Sequence, residues 1–245
     1  MNFQDGAKTY AAYLETPEGR LRSELAFANL LEFLPRARPL RALDLGGGTG
    51  EIALRLAHLG VRVMLVDSSA DMLDFARRAA EEAGVAPLIE VQHGEADRVT
   101  GRFDVVVCHN VLEYVDDPAA ALLAAARAMA DPAILSLLVR NRAGEVLKTA
   151  IRAGDLVSAE EKLDAEWTIE SLFGGRARMF TPECLRSILK AARLEPIAER
   201  GVRVVSDYLP AGGDYQRILE VEHRLGSRPE FAAVARYSHW VARHE

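Results

Sequence analysis

The chain has 245 residues, of which 49% are hydrophobic and 27% charged, a composition typical of a folded globular protein. Its net charge of −6 argues against a general coat for nucleic acid but leaves a local basic patch open. No apolar run reaches the roughly 18 residues of a membrane span, and no basic-then-apolar leader is visible. Neither Cys108 nor Cys184 has Cys or His neighbours at metal-ligand spacing. We therefore expect a cytoplasmic protein without membrane contact or metal.

The first 38 residues predict a helical cap. Leucines recur at roughly helical spacing between Leu21 and Leu34, and Pro35 and Pro39 end the segment. We therefore divide the chain into an N-terminal helical cap, 1–38, and one larger domain, 39–245.

From residue 41, short apolar runs alternate with longer helical patterns. The predicted strands are RALDLG, VRVMLVD, PLIEVQHG, FDVVVCHN and AILSLLVR, and the helices between them cover 49–60, 69–84 and 118–129. Strands separated by helices in this rhythm predict an α/β fold with a parallel sheet and right-handed crossovers.

After the fifth strand the rhythm loosens. Residues 143–173 predict a helical insertion made of two helices with mixed charge. Beyond the insertion we predict helices over 181–194 and 215–226 and strands over 197–209 and 231–243.

A glycine-rich turn follows the first strand in the sequence LDLGGGTGEI. A strand, a glycine turn and a helix in succession leave backbone N–H groups free at the carboxyl edge of a sheet, where ligands bind. Gly46, Gly48 and Gly50 fit the pattern GxGxG, whereas the dinucleotide pattern needs a third glycine where Glu51 stands. A tight turn without a ligand is the alternative at this point.

Polar residues also follow the next three strands. Asp67 ends the second strand, where a carboxylate can accept both hydroxyls of a ribose, although it could instead cap a helix. Ala96 and Asp97 follow the third strand and could meet an adenine amino group, or form a surface loop. His109 and Asn110 end the fourth strand and could line the same site, although a lone histidine is often structural.

Three segments resemble successive motifs of class I S-adenosylmethionine-dependent methyltransferases: DLGGGTGEIALRLA, VRVMLVDSSADMLDFAR and FDVVVCHNVLEYVDDP. They arrive in order and at the family's spacing over roughly residues 40–140. The resemblance implies a Rossmann-like fold with a seven-stranded, mostly parallel sheet whose last strand is antiparallel. It also implies S-adenosylmethionine as cofactor, lying over the glycine turn with its ribose on Asp67 and its adenine near Ala96 and Asp97.

Three further segments are similar to the bacterial tRNA 5-carboxymethoxyuridine methyltransferases, which esterify the carboxylate of a modified wobble uridine. They are TPEGRLR (16–22), GVRVVSDYL (201–209) and ARYSHWVAR (235–243). By this match Arg22 would reach the cofactor's carboxylate from the cap; a solvated surface charge is the alternative. Together the two resemblances imply these cofactor contacts: Arg22, Gly46, Gly47, Gly48, Gly50, Asp67, Ser68, Ala96, Asp97 and His109.

The implied chemistry needs few catalytic groups. A carboxylate with an ordinary pKa of about 4 is already an anion at neutral pH, so the enzyme need only align it with the methyl donor. Arg203, with Tyr208 beside it, is the candidate clamp for that carboxylate, although it could simply be paired on a strand surface. Arg140, Asn141 and Arg142 lie just past the fifth strand, where acceptors usually bind. We therefore predict acceptor contacts from Asn141, Arg203 and Tyr208.

One segment departs from the tRNA enzymes, which carry a dense lysine run after the fifth strand. This chain has SAEEKLDAEWTIESLFGGRAR there, which is acidic until Arg176 and Arg178. Phosphate contacts supply most non-specific affinity for nucleic acid, so a small-molecule acceptor is the alternative to tRNA. A non-catalytic cofactor-binding module is a third interpretation.

Overall fold

The computed structural model describes residues 6–36, 39–95, 99–170, 172–210 and 212–245. The helices are α1 Ala7–Glu15, α2 Pro17–Leu31, α3 Glu51–His58, α4 Ala70–Glu82, α5 Pro118–Ala128, α6 Arg142–Leu147, α7 Leu156–Glu161, α8 Pro182–Ala191, α9 Tyr215–Gly226 and α10 Pro229–Ala232. The strands are β1 Arg41–Leu45, β2 Arg62–Asp67, β3 Ile89–His93, β4 Phe103–His109, β5 Met129–Arg140, β6 Trp167–Ile169, β7 Arg176–Arg178, β8 Leu194–Val202 and β9 Tyr237–His244.

Seven of these strands form one sheet in the order β3-β2-β1-β4-β5-β9-β8. The pairs from β3 to β5 are parallel, whereas β9 runs antiparallel to both β5 and β8. The predicted seven-stranded, mostly parallel sheet with an antiparallel last strand is confirmed. Its strand order reverses between β1 and β4, and ligands bind at such a point, beyond the carboxyl ends of the strands.

Helices cover both faces of the sheet, because both faces are apolar. On one face Leu43 and Val106 pack with residues of α5 and α8. On the other face Ala42 and Val105 pack with residues of α2, α3 and α4. Successive residues of a strand point to opposite faces, so each central strand supplies both layers of the core.

The N-terminal helices α1 and α2 close one side of the sheet near its carboxyl edge. The Thr16 side chain accepts a hydrogen bond from the backbone N–H of Gly19 at 3.1 Å, and Pro17 follows it at the first helical position. This capping arrangement fixes where α2 begins. The helix then packs on α9 and on strand β8.

Three predicted elements are wrong in part. Residues 167–169 form strand β6 rather than helix, because they pair with β7 and Glu170 accepts the backbone N–H groups of the following turn. The strand predicted over 197–209 ends at Val202, because Arg203 has a left-handed backbone with φ 61°. The strand predicted over 231–243 starts at Tyr237, since Pro229 begins a short helix.

Within the described ranges, none of the helices combines the length and apolar character that crossing a membrane requires. The same ranges contain no group of three or more His, Cys, Asp or Glu side chains placed to hold a metal ion.

Candidate functional site

A cavity of about 630 Å³ lies at the carboxyl edge of the sheet. The glycine turn after β1 and the end of β2 line one end of it, and arginines from β5 and the β8–β9 region line the other. Arg22 of α2 lies between the two ends, in contact with Tyr10 and Tyr237. Aromatic side chains of α1 form part of the wall between the two ends. The cavity therefore joins the predicted cofactor region and the predicted acceptor region.

The glycine turn has a backbone that other residues adopt with difficulty. Gly46 and Gly48 have φ values of 61° and 55°, in the left-handed region. A Cβ on Gly46 would lie 2.5 Å from a methyl carbon of Val111, whereas one on Gly48 would meet only the Tyr10 ring at 3.5 Å. Gly48 therefore lets a ligand approach the turn closely. The N–H groups of the turn are not free as predicted, because those of Gly46 and Gly47 donate to the Val66 carbonyl and that of Gly48 donates to Asp67.

Asp67 ties the end of β2 to two neighbouring loops. One carboxylate oxygen accepts the backbone N–H of Gly48 at 2.9 Å, and the other accepts that of Ser69 at 2.8 Å. Burial raises the pKa of this carboxyl, and the two N–H groups partly offset that effect. Each carboxylate oxygen has a second lone pair, so Asp67 can still accept hydroxyl groups from a ligand.

Asp44 lies behind the glycine turn near the end of β1. It is 3% exposed, and burial together with repulsion from Asp67 raises its pKa to about 7. A Cβ on Gly47 would lie 2.9 Å from an Asp44 carboxylate oxygen. Gly47 therefore faces the protein interior and supports the turn from behind.

Arg22 reaches the cavity from α2 and lies among three tyrosines. Its guanidinium donates to the hydroxyl of Tyr10 at 2.8 Å and lies 5.0 Å from the ring centroid of Tyr13 and 5.8 Å from that of Tyr237. Among the described residues it has no carboxylate partner, although it is only 8% exposed. A buried cation held by aromatic rings is prepared to receive an anion.

Three other buried arginines share carboxylate partners at the end of the cavity away from the glycine turn. Arg140 pairs with Glu145 at 3.1 Å. Arg236 pairs with the same Glu145 and lies 3.6 Å from Asp207, which also pairs with Arg203. Because all five side chains are less than 10% exposed, removing one charge would leave another without compensation.

Tyr237 lies at the centre of these cations. The guanidinium carbons of Arg140 and Arg236 lie 5.8 and 5.9 Å from its ring centroid. Burial alone would raise the pKa of this phenol, but Arg140, Arg22, Arg236 and Arg203 together lower it to about 7. The site therefore favours an anion at this point.

The structure brings together most of the residues predicted from the sequence. The predicted residues that line the cavity are Arg22, Gly46, Gly48, Asp67, Ser68, His109 and Arg203. Gly50 is the residue before α3 and packs against Ala76 rather than lining the cavity. Ala96 and Asp97 lie outside the described residues.

Two predicted acceptor contacts are placed elsewhere. Asn141 is 2% exposed; its side chain caps α6 and donates to the carbonyls of Ala233 and Ala235 at 3.0 and 2.9 Å. Its amide joins two segments of the fold, and neither Asn141 nor Tyr208 belongs to the described cavity wall.

Sequence reasoning missed several residues of the arginine-lined end. Tyr10 and Tyr13 come from a helix with no recognisable motif, and Glu145 has the sequence context of an ordinary charge in the insertion. Arg236 and Tyr237 stand inside the quoted segment ARYSHWVAR, and that segment is the one signal that could have found them. Only the tertiary fold brings these side chains together.

A family model described as a methyltransferase domain matches residues 19–199. The tRNA 5-carboxymethoxyuridine methyltransferase of Escherichia coli K12 is 30% identical, over 99% of this chain and 95% of that protein. A ubiquinone biosynthesis O-methyltransferase of Cereibacter sphaeroides is 29% identical, over 66% of this chain and 63% of its own length.

A solved structure adds support for the fold. The magnesium protoporphyrin IX methyltransferase of Synechocystis PCC 6803, with bound S-adenosylhomocysteine, superposes with a TM-score of 0.68 at 17% identity, covering 99% of this chain and 96% of that one. The open backbone at Gly48 and the carboxylate of Asp67 fit a nucleoside cofactor at this edge. The chain belongs to the methyltransferase-domain family and is an S-adenosylmethionine-dependent methyltransferase.

Proposed function

We propose that this enzyme methyl-esterifies a carboxylate, and that the carboxylate is that of 5-carboxymethoxyuridine in tRNA. The observation that carries the first part is the cluster of three buried arginines, Arg140, Arg203 and Arg236, around Tyr237 at one end of the cavity. The similarity to the tRNA enzyme of E. coli over nearly the full length of both chains supports the second part.

Two arginines of this cluster have N–H donors that a ligand could use. Arg140 and Arg203 each have a buried Nε that finds no hydrogen-bond acceptor among the described residues. Burying such a donor without a partner costs about 1–3 kcal/mol, so an acceptor group that enters the cavity would remove that cost. A carboxylate supplies two acceptor oxygens in the geometry that guanidinium binds best.

The proposed chemistry needs no general base. S-adenosylmethionine, when bound, supplies an electrophilic methyl group on a sulfonium, which a carboxylate oxygen can take up directly to form an ester. The acceptor is already ionised at neutral pH, and Arg203 and Arg140 would keep it so while fixing its orientation. The rings of Tyr10 and Tyr13 would exclude water from the same space.

We assign the cofactor to the other end of the cavity. Asp67 would bind the ribose hydroxyls, and Gly46 and Gly48 would let the cofactor approach the backbone. Arg22, which lies between the two ends, would bind the cofactor's carboxylate. Ser68, which is exposed, and His109 also line the cavity. This assignment is supported by the open turn at Gly48 and by the absence of a carboxylate partner for Arg22 among the described residues.

A small-molecule acceptor is the second candidate, because the insertion has an acidic surface. Helix α7 carries Glu160 and Glu161, and Asp155 precedes it, all of them exposed. Such a surface repels phosphates. Lys148 and Arg152 of the insertion line the cavity, and Arg176 and Arg178 are the basic residues of β7.

The test is methyl transfer from labelled S-adenosylmethionine to tRNA that carries 5-carboxymethoxyuridine, followed by mass spectrometry of the nucleosides. We expect a methyl ester that mild alkali hydrolyses with release of methanol. Alkali-stable label on nitrogen or on a phenolic oxygen would contradict the carboxylate acceptor. Base-labile label on a small acid, with none in tRNA, would support esterification of a carboxylate and favour a small-molecule acceptor over tRNA.

Arg203→Ala should lower this transfer while leaving S-adenosylhomocysteine binding near normal, because only the acceptor loses a partner. Asp207 loses Arg203 but keeps its contact with Arg236, so we expect this variant to fold with a lower free energy of unfolding than wild type. Arg200→Ala is the matched control, since Arg200 stands three residues earlier and pairs with Glu32 outside the cavity. Equal loss in both variants would argue against an acceptor role for Arg203.

A further inference from the structure

A chain of four polar side chains runs from helix α2 across the sheet to the cavity. Asn29 Nδ2 lies 3.3 Å from His239 Nδ1, His239 Nε2 lies 2.8 Å from Ser136 Oγ, and Ser136 Oγ lies 2.8 Å from His109 Nε2. The first three residues are no more than 3% exposed, and His109 lines the cavity. Polar groups this deeply buried form a network in which each proton position depends on the next.

The strand register explains why these side chains meet. Ser136 on β5 pairs with Val107, two residues before His109 on β4, so both side chains lie on the same face of the sheet. His239 on β9 pairs with Leu138, two residues after Ser136, and therefore shares that face too. The two imidazole rings lie edge to face, with their centroids 5.2 Å apart.

The amide of Asn29 sets the direction of the chain, because its nitrogen can only donate. His239 Nδ1 must then accept, which leaves the ring proton of neutral His239 on Nε2, where it donates to Ser136. The Ser136 hydroxyl donates in turn to His109 Nε2. His109 therefore carries its own proton on Nδ1, the nitrogen left for the cavity.

Both rings are held in the neutral form that this direction requires. Burial, His239 and Arg22 lower the pKa of His109 well below its ordinary value. Burial and Arg200 lower the pKa of His239 to about 3. A neutral donor suits a site for a sulfonium cofactor, because an imidazolium beside the sulfonium would repel it.

We propose that Asn29, His239 and Ser136 are positioning residues that fix His109 as the Nδ1–H tautomer, so that it donates to a ligand carboxylate beside Arg22. The proposal rests on the proposed function, which places a carboxylate at each end of the cavity: that of the cofactor and that of the acceptor. Arg22 and Asn29 stand seven residues apart, which is two turns of α2, so they lie on the same face of the helix. Arg22 would bind the carboxylate directly, and Asn29 would act on it through the other side chains of the network.

The test reads the tautomer of His109 in protein labelled with ¹⁵N-histidine, with the signal assigned by its loss in His109→Gln. We expect wild type to show Nδ1–H alone. Ser136→Ala should give a mixture, and Ser136→Thr, which keeps the hydroxyl, should restore the single form. Asn29→Leu should also mix the tautomers, although Asn29 contacts neither His109 nor the cavity wall.

Ser238→Ala is the matched control. Ser238 is a buried serine on β9 that accepts from Trp240 Nε1 at 2.7 Å and takes no part in the chain. This variant should keep the wild-type tautomer. An Nε2–H tautomer in wild type, or an unchanged one in Ser136→Ala, would overturn the proposal.

Ligand binding distinguishes the two carboxylates. If His109 binds the cofactor's carboxylate, Ser136→Ala should weaken S-adenosylhomocysteine about two- to tenfold in calorimetry, as the competent tautomer is depleted. If His109 binds the acceptor's carboxylate instead, Ser136→Ala should leave the affinity for S-adenosylhomocysteine unchanged and raise the KM for the acceptor by a similar factor. A changed tautomer with neither effect would overturn the ligand role. The spectra and the calorimetry need no acceptor, so they stand apart from any failure of the tRNA assay.

Discussion

The two ends of the cavity are built in opposite ways. The cofactor end is built around the glycine turn and Asp67, whose carboxylate accepts two backbone N–H groups. The acceptor end consists of long side chains from separate elements, with Arg140, Arg203 and Arg236 sharing buried carboxylates. On the proposed assignment, the first end would bind the cofactor, which is common to the family, and the second would bind the acceptor.

This difference has an energetic consequence. The N–H groups of the glycine turn already donate to the Val66 carbonyl and to Asp67, so backbone hydrogen bonds hold this end in place. Buried charges at the acceptor end lose hydration, and the fold tolerates them only while each has a partner. We therefore expect substitutions at the acceptor end to lower stability and those at the cofactor end to lower affinity.

The largest effect should come from Glu145→Ala, which removes the carboxylate that Arg140 and Arg236 share. Both guanidinium groups would stay buried with only their more distant partners. Breaking a buried pair in this way costs about 3–5 kcal/mol, which we expect as a lower free energy of unfolding in urea titrations. Glu195→Ala is the control, because Glu195 pairs with Arg243 at 2.9 Å on the surface and should cost at most about 1 kcal/mol. Similar losses in both variants would remove the energetic contrast between the two ends.

An intermediate effect should come from Asp67→Ala at the cofactor end. This variant loses the acceptor proposed for the ribose, and we expect S-adenosylhomocysteine to bind more weakly by about 1.5–3 kcal/mol in calorimetry. Asp71→Ala provides the control, since Asp71 is an exposed carboxylate in the first turn of the next helix. Unchanged affinity in Asp67→Ala would show that Asp67 serves only to hold Gly48 and Ser69.

The same contrast explains what the sequence can predict. The cofactor end lies in contiguous motifs, so local patterns are enough to predict the glycine turn, Asp67 and His109 as parts of one site, and all three line the cavity. The acceptor end depends on side chains far apart in the chain. Asn141 is predicted there, although its amide caps α6 and ties it to the segment before β9. Strand ends are also missed where one residue, such as Arg203, takes a left-handed backbone that local patterns do not reveal.

The ionisation of Tyr237 should make folding stability depend on pH. Its folded pKa of about 7 lies below the ordinary value of 10, so the folded state favours the phenolate. A group of this kind contributes its full stability above pH 10 and loses that contribution as the pH falls through 7. Asp44 titrates in the same range with the opposite sign, because its pKa is raised. Comparison with a variant that lacks only the phenol therefore isolates Tyr237.

The smallest effect should appear in Tyr237→Phe as a change in how stability depends on pH. Wild type should gain, relative to the variant, up to about 1 kcal/mol between pH 7 and pH 8, because the arginines around Tyr237 stabilise the phenolate. Urea unfolding of both proteins across that range measures the difference, and phenolate absorbance of the folded proteins should show one extra tyrosine titrating near pH 7 in wild type. Parallel stability curves with no extra phenolate would mean that Tyr237 stays protonated. The arginines would then be balanced by Glu145, Glu170 and Asp207, and an entering carboxylate would meet a neutral phenol.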